Sequence, residues 1–91
     1  MTEPIDLTFT VPVQSDESPG AWTIAVLPDS GRLLGTRRPV KVKGHLDGHQ
    51  FAATLLPMGD GTHMLPLKAA LRAAAGKGVG DQVTVQLTER G

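Results

Sequence analysis

Residues 39–55 read PVKVKGHLDGHQFAATL, and apolar and polar side chains alternate on both sides of a single Asp-Gly pair. Alternation with a period of two marks a strand with one buried face. Asp-Gly between two such runs is the favoured pair for a two-residue type I′ turn, because both central positions need positive φ. The segment therefore predicts a hairpin that turns at Asp47 and Gly48. That turn sets the register, so Leu46 faces His49, Gly44 faces Phe51, Val42 faces Ala53 and Val40 faces Leu55. Lys41, Lys43, His45, Gln50, Ala52 and Thr54 fall on the solvent face. Gly44 opposite Phe51 has the form of an aromatic ring covering a strand glycine, a device of strongly coiled sheets.

Upstream, IDLTFTVPV (5–13) places Ile5, Leu7, Phe9, Val11 and Val13 on one face of a half-buried strand. Pro12 sits near its end, where a missing amide donor costs least. QSDESPG (14–20) reads as a polar loop, and AWTIAVL (21–27) resumes the alternation with Trp22, Ile24 and Val26 as its inward set. In PDSGRLLGTRRP (28–39), Asp29 or Ser30 is expected to cap a short helical turn that carries Leu33 and Leu34 inward and stops at Gly35.

Downstream, PMGDGTH (57–63) is a turn and HMLPL (63–67) a short extended segment. A helix over about 66–75 is predicted to start at Pro66, a residue tolerated in the first helical position. Leu67, Ala70, Leu71 and Ala74 then share one face, with Gly76 as a left-handed cap. Lys68 and Arg72 occupy the exposed face, and Lys77 lies by the C-terminal end of the helix dipole. QVTVQLT (82–88) closes the pattern with Val83, Val85 and Leu87 inward. The fold class that follows is mainly β: a small closed or split β-barrel of five to six strands with one short α-helix before the last. A chain this small cannot leave sheet edges and an apolar face exposed.

Length and composition set further bounds. The 91 residues correspond to one domain, 1–91, and the 40% hydrophobic and 20% charged content is that of a soluble globular chain. No run of 18 or more apolar residues marks a membrane span, and MTEPIDLTFT has no apolar core of a signal peptide, so a cytoplasmic protein is expected. Cysteine is absent, which excludes disulfides, thiolate nucleophiles and Cys-ligated zinc. Nine basic residues balance nine acidic ones, so neither nucleic acid nor an anionic membrane is favoured by net charge.

Several motifs invite chemistry. His45 and His49 are four apart, but a turn at Asp47-Gly48 sends their rings to opposite faces, and His63 adds only one more nitrogen of a surface or barrel-end residue. No metal and no cofactor is expected. GKGVGD (76–81) is glycine-rich, yet it follows a helix instead of preceding one, and GRLLGTRR (31–38) lacks the ending of a Walker loop. Ser15, Ser18 and Ser30 have turn or cap roles available, and Asp47, Asp60 and Asp81 each neighbour a turn glycine. No catalytic constellation emerges; His63 beside Asp60 is the first place to look for one.

The combination VLP (26–28), VKGHLDG (42–48), GDGTHMLPL (59–67), KAALRAAAGK (68–77) and GDQVTVQL (80–87) resembles a small family of uncharacterised bacterial domains, catalogued as a numbered domain of unknown function. The resemblance implies a split β-barrel similar to that of the AbrB-like transcription factors and antitoxins, in stand-alone domains or beside a second domain of YdeI/OmpD-associated type. It brings no catalytic residues with it.

The one uneven feature is charge. Arg32, Arg37, Arg38, Lys41 and Lys43 lie within twelve residues, and no acidic side chain occurs between Ser30 and Leu46. Arg37, Arg38, Lys41, Lys43, Lys68, Arg72 and Lys77 are therefore the candidate anion-binding or partner-binding residues. Their ordinary use is a solvated face whose lysines keep an edge strand from pairing. The expected function is that of a non-catalytic binding or interaction module, acting as monomer or homodimer on a protein partner or a small anionic ligand. The alternatives are an AbrB-like nucleic-acid binder using the basic stretch and a small accessory enzyme domain.

Overall fold

The computed structural model describes residues 2–15 and 22–91. Six strands and two short helices run in the order β1 (Glu3–Ser15), β2 (Thr23–Leu27), α1 (Ser30–Leu34), β3 (Val40–Leu46), β4 (His49–Pro57), β5 (His63–Pro66), α2 (Ala69–Ala75) and β6 (Gln82–Arg90). The strands close into an antiparallel barrel in the spatial order β1-β2-β5-β4-β3-β6. Ser18, with the rest of the loop from 16 onward and Ala21, lies outside the described residues.

Closure depends on two strands that change partner partway along. Most of β1 pairs with β6, ending at Pro12 opposite Gln82, and its last residues, from Val13, pair with β2. Pro12 thus falls where one partner hands over to the other, a position where a residue without an N–H is tolerated. In the same way β4 pairs with β3 from His49 to Leu55 and then with β5 through Leu56 and Pro57. Two four-stranded sheets therefore share β1 and β4, and the barrel has no free edge between them.

The β3–β4 hairpin has the predicted register, with Leu46 opposite His49, Gly44 opposite Phe51, Val42 opposite Ala53 and Val40 opposite Leu55. Asp47 and Gly48 have φ of 48° and 84°, as a type I′ turn requires. The turn is also docked on β6: the Asp47 N–H donates to the Thr84 carbonyl at 2.9 Å, and the Thr84 N–H donates to Asp47 Oδ1 at 2.9 Å. A Cβ at Gly48 would meet nothing within 4 Å, so Gly48→Ala costs only the left-handed backbone strain, about 1 kcal/mol. The expected result is a fall in thermal midpoint of about 4–8 °C without loss of the fold.

Inward residues of all six strands form one core, led by Phe9, Val11, Val13, Leu27, Val42, Leu46, Leu55, Leu65, Val83, Val85 and Leu87. Three expectations need correction. In β2 the expected Ile24 is buried, but so are Ala25 and Leu27, while Trp22 is 51% exposed and Val26 only partly buried. The strand is set by its pairing of Ala25 with Val13 on one side and Leu65 on the other, so the largest residue of the segment is not its most buried.

In α1, Leu34 is buried but Leu33 is 40% exposed, because five helical residues offer a single inward turn. Neither predicted cap acts as one. Asp29 is itself left-handed and makes no cap hydrogen bond, whereas Gly35 does end the helix with φ of 70°.

Pro66 closes β5 opposite Ile24 instead of starting α2, whose first residue is Ala69. Proline lacks only a donor and keeps its carbonyl, so the end of a short strand suits it. Ala70 and Ala74 are exposed, and the contacts of α2 with the core come from Leu71 and Ala75. Gly76 is the left-handed C-cap, with its N–H on the Ala73 carbonyl.

Candidate functional site

His63 is wholly buried, against the expectation of a surface or barrel-end residue. Alternation along β5 turns His63 to the same side as Leu65, which is also fully buried. Its backbone N–H donates to Ser30 Oγ at 2.7 Å, its Nδ1 lies 2.9 Å from the same Oγ, and its Nε2 lies 2.9 Å from the Arg38 carbonyl oxygen. A carbonyl can only accept, so Nε2 carries the proton and the Ser30 hydroxyl donates to Nδ1, an assignment made from the partners. One imidazole thereby ties α1, β5 and the segment before β3 together.

This arrangement has the composition of a serine–histidine catalytic pair without the access. Ser30 and His63 both have zero exposure, and each ring nitrogen already has a protein partner. His63, which with Asp60 was the first place to look for a catalytic pair, hydrogen-bonds to Ser30 and Arg38. Asp60 instead accepts from the Thr62 N–H at 2.9 Å and from the Thr62 hydroxyl at 2.5 Å. Those two bonds, with a smaller contribution from the Arg37 charge, hold its carboxyl below the usual range.

The hollow in front of Asp60 has a volume of about 370 Å³ and is lined by Asp29, Gly31, Arg32, Arg37, Gly61 and Thr62 as well. Arg32 is spoken for there: its Nε donates to Asp29 Oδ2 at 2.8 Å, and the Arg32 hydrogen bond lowers the Asp29 carboxyl pKa. Both partners are well exposed, so the pair adds little stability.

The predicted basic residues other than Lys77 line several hollows. Arg37 lines the hollow just described, facing two carboxylates. Arg38 and Lys41 line a second hollow of about 350 Å³ with Thr36, Pro39, Val40, Arg90 and Gly91. Lys41 and Lys43 border a third, of about 250 Å³, on the outer face of the β3–β4 hairpin, where Glu89 and Arg90 also stand. Lys68 and Arg72 share a groove with Trp22.

Lys77 stands apart from these. Its Nζ lies 3.8 Å from Asp47 Oδ2, a carboxylate oxygen with no hydrogen-bond partner, so its charge serves the hairpin turn.

Arg90 is the functional candidate that sequence reading missed. Its Nη1 donates to the Leu34 carbonyl at 2.5 Å, which holds the guanidinium beside Arg38 and Lys41. Only the strand pairing of Val42 with Arg90 brings residue 90 to the basic stretch.

Among the described residues, no group of three or more His, Asp or Glu could hold a metal ion. Among the same residues, no helix is long and apolar enough to cross a membrane.

The chain belongs to the family described as Domain of unknown function (DUF1905), whose family model matches residues 9–87. That span runs from Phe9 within β1 to Leu87 within β6 and so includes β2 to β5 whole and part of β1 and of β6. A comparison with curated proteins found no match.

Proposed function

We propose that this barrel is a non-catalytic binding module for a small anionic molecule, held at the hollow formed by Arg38, Lys41 and Arg90. One observation carries the reading: three cationic side chains line one hollow of ligand size, and among the described residues no Asp or Glu side chain lines it with them. The Thr36 hydroxyl adds a neutral polar group at its wall. The backbone is braced there as well, since the Arg38 carbonyl is held by His63 and the Gly91 N–H donates to the Lys41 carbonyl at 2.9 Å. Support for a non-catalytic role comes from the burial and full engagement of Ser30 and His63.

Kinship with the AbrB-like barrels, and a companion domain of YdeI/OmpD-associated type, belong to this proposal too. The two sheets sharing β1 and β4 support the first at the level of fold only. DNA binding does not follow from it, because the nine basic residues are matched by nine acidic ones.

Inorganic phosphate, titrated at low salt and followed by amide chemical shifts, tests the site. Shifts are expected at Thr36, Arg38, Lys41 and Arg90, and the double change Arg38→Gln with Lys41→Gln should weaken binding at least about tenfold. Arg37→Gln, in the neighbouring acidic hollow, should leave it unchanged. Equal binding by the double variant contradicts the proposal. A steep salt-dependent shift of mixed duplex DNA, with none for phosphate, replaces it with the nucleic-acid reading.

A further inference from the structure

Two hollows meet where β3 and β6 end their pairing. Lys41, Arg90 and Gly91 line both the hollow around Arg38 and the hollow of about 250 Å³ on the outer face of the hairpin. The second is a consequence of register. Lys41 stands opposite Thr54 and Lys43 opposite Ala52, so two long side chains of β3 face two short ones of β4 and leave a trough. Val42, Ala52 and Ala53 give the trough apolar surface, and Thr2 and Thr54 are its neutral polar residues. Lys43 and Glu89, partners across β3 and β6, bring one charge of each sign, so the trough itself selects no charged group. The junction is held in place: Arg90 Nη1 donates to the Leu34 carbonyl, and the Gly91 N–H donates to the Lys41 carbonyl at 2.9 Å.

We infer that the ligand of the Arg38 hollow is a phosphate monoester whose uncharged organic group, about the size of one ring, lies in the adjoining trough against Ala52. This rests on the reading of the Arg38 hollow given above and extends it from the anion to the whole molecule. Three features select that class. A monoester keeps three strong acceptor oxygens for the two guanidinium groups and the ammonium, while its fourth oxygen leads out of the hollow to the organic group. The trough is smaller than the roughly 300–1,000 Å³ of a site for a whole small molecule, which suits it to part of one. Its short apolar residues and balanced charges reward burial of an uncharged group, and a bare anion leaves that surface unused.

Phenyl phosphate and methyl phosphate are the probes, titrated separately at about pH 8, where both are dianions, and followed by amide chemical shifts. Both are expected to move the signals of Arg38 and Arg90. Phenyl phosphate alone should also move Ala52, Thr54 and Glu89, and should bind about tenfold tighter than methyl phosphate. Ala52→Leu fills the trough from an exposed position. It should cut the preference for phenyl phosphate to less than about twofold and leave methyl phosphate unchanged. Should Ala52→Leu disturb the barrel, visible as altered dispersion of the β3 and β4 amide signals, Thr54→Leu supplies the same comparison. Methyl phosphate binding with phenyl phosphate no tighter overturns the inference and leaves the anion site standing. A filled trough that keeps the whole preference for phenyl phosphate does the same. Failure of inorganic phosphate and of both esters to move Arg38 and Arg90 removes the anion site itself, and the inference falls with it.

Discussion

Replacing Gly44 by alanine should destabilise the barrel by more than about 3 kcal/mol, against a total of about 5–15 kcal/mol for a domain of this kind. A Cβ at this position would fall on the carbonyl oxygen of Gln86, with the carbonyl carbon at 2.9 Å and Leu87 Cα at 3.1 Å. All three are backbone atoms of the adjacent strand, so no rotamer change relieves the clash and the β3–β6 seam has to part. The ladder is already irregular there, with a register shift between Lys43 and Gly44. Thermal or urea unfolding measures the effect, and a midpoint lower by more than about 12 °C is expected. Gly48→Ala, one turn away and costing about a third as much, is the comparison that separates collision from strain. The aromatic cover first read into Gly44 and Phe51 is a secondary reason for the glycine, because the partner on the other side comes closer.

The second large effect is at the buried clamp. His63→Ala removes the partner of the Ser30 hydroxyl and of the Arg38 carbonyl and leaves a void where a fully buried ring stood, so a loss of about 3 kcal/mol is expected. Ser30→Ala strands both the His63 N–H and Nδ1 and should cost about 2 kcal/mol. Because each change removes the same interaction, the double variant should fall short of the sum by about 1 kcal/mol or more, measurable in a double-mutant cycle from urea denaturation. Additive losses would mean that the two residues stabilise the barrel separately. His63→Ala should also weaken phosphate at the Arg38 hollow in whatever molecules remain folded, since it frees the backbone on which Arg38 sits.

Strand pairing in the hairpin was legible in the sequence because one local device, positive φ at Asp47 and Gly48, sets every later pair. The inward faces of β1 and β6 were legible for the same kind of reason: an unbroken alternation from Ile5 to Val13 and from Val83 to Leu87. β2 was not, because its five residues carry apolar side chains at nearly every position, and only the neighbouring strands decide which side is inside. The short helix before β6 was foreseen, but its start depended on whether Pro66 closes a strand or opens a helix. Local chemistry permits both.

The candidate sites depend more heavily on long-range geometry. Ser30 and His63 lie 33 positions apart, and Arg90 and Leu34 lie 56 apart, distances at which spacing carries no signal. One clue was available for His63, since the alternation in HMLPL places it on the side of Leu65. Arg37, Arg38, Lys41 and Lys43 are adjacent in the chain, yet they are distributed over three hollows because the segment passes from a loop into a strand with alternating faces.

Everything above rests on β6 lying between β1 and β3, which closes the barrel, seats the hairpin turn on Thr84 and brings Arg90 to Arg38. Val85 is the residue that tests this, because it pairs with Phe9 of β1 on one side and Leu46 of β3 on the other. A NOESY spectrum of the protein should show backbone contacts from Val85 to both Phe9 and Leu46. Contacts to only one of the two would mean an open sheet and would contradict the account.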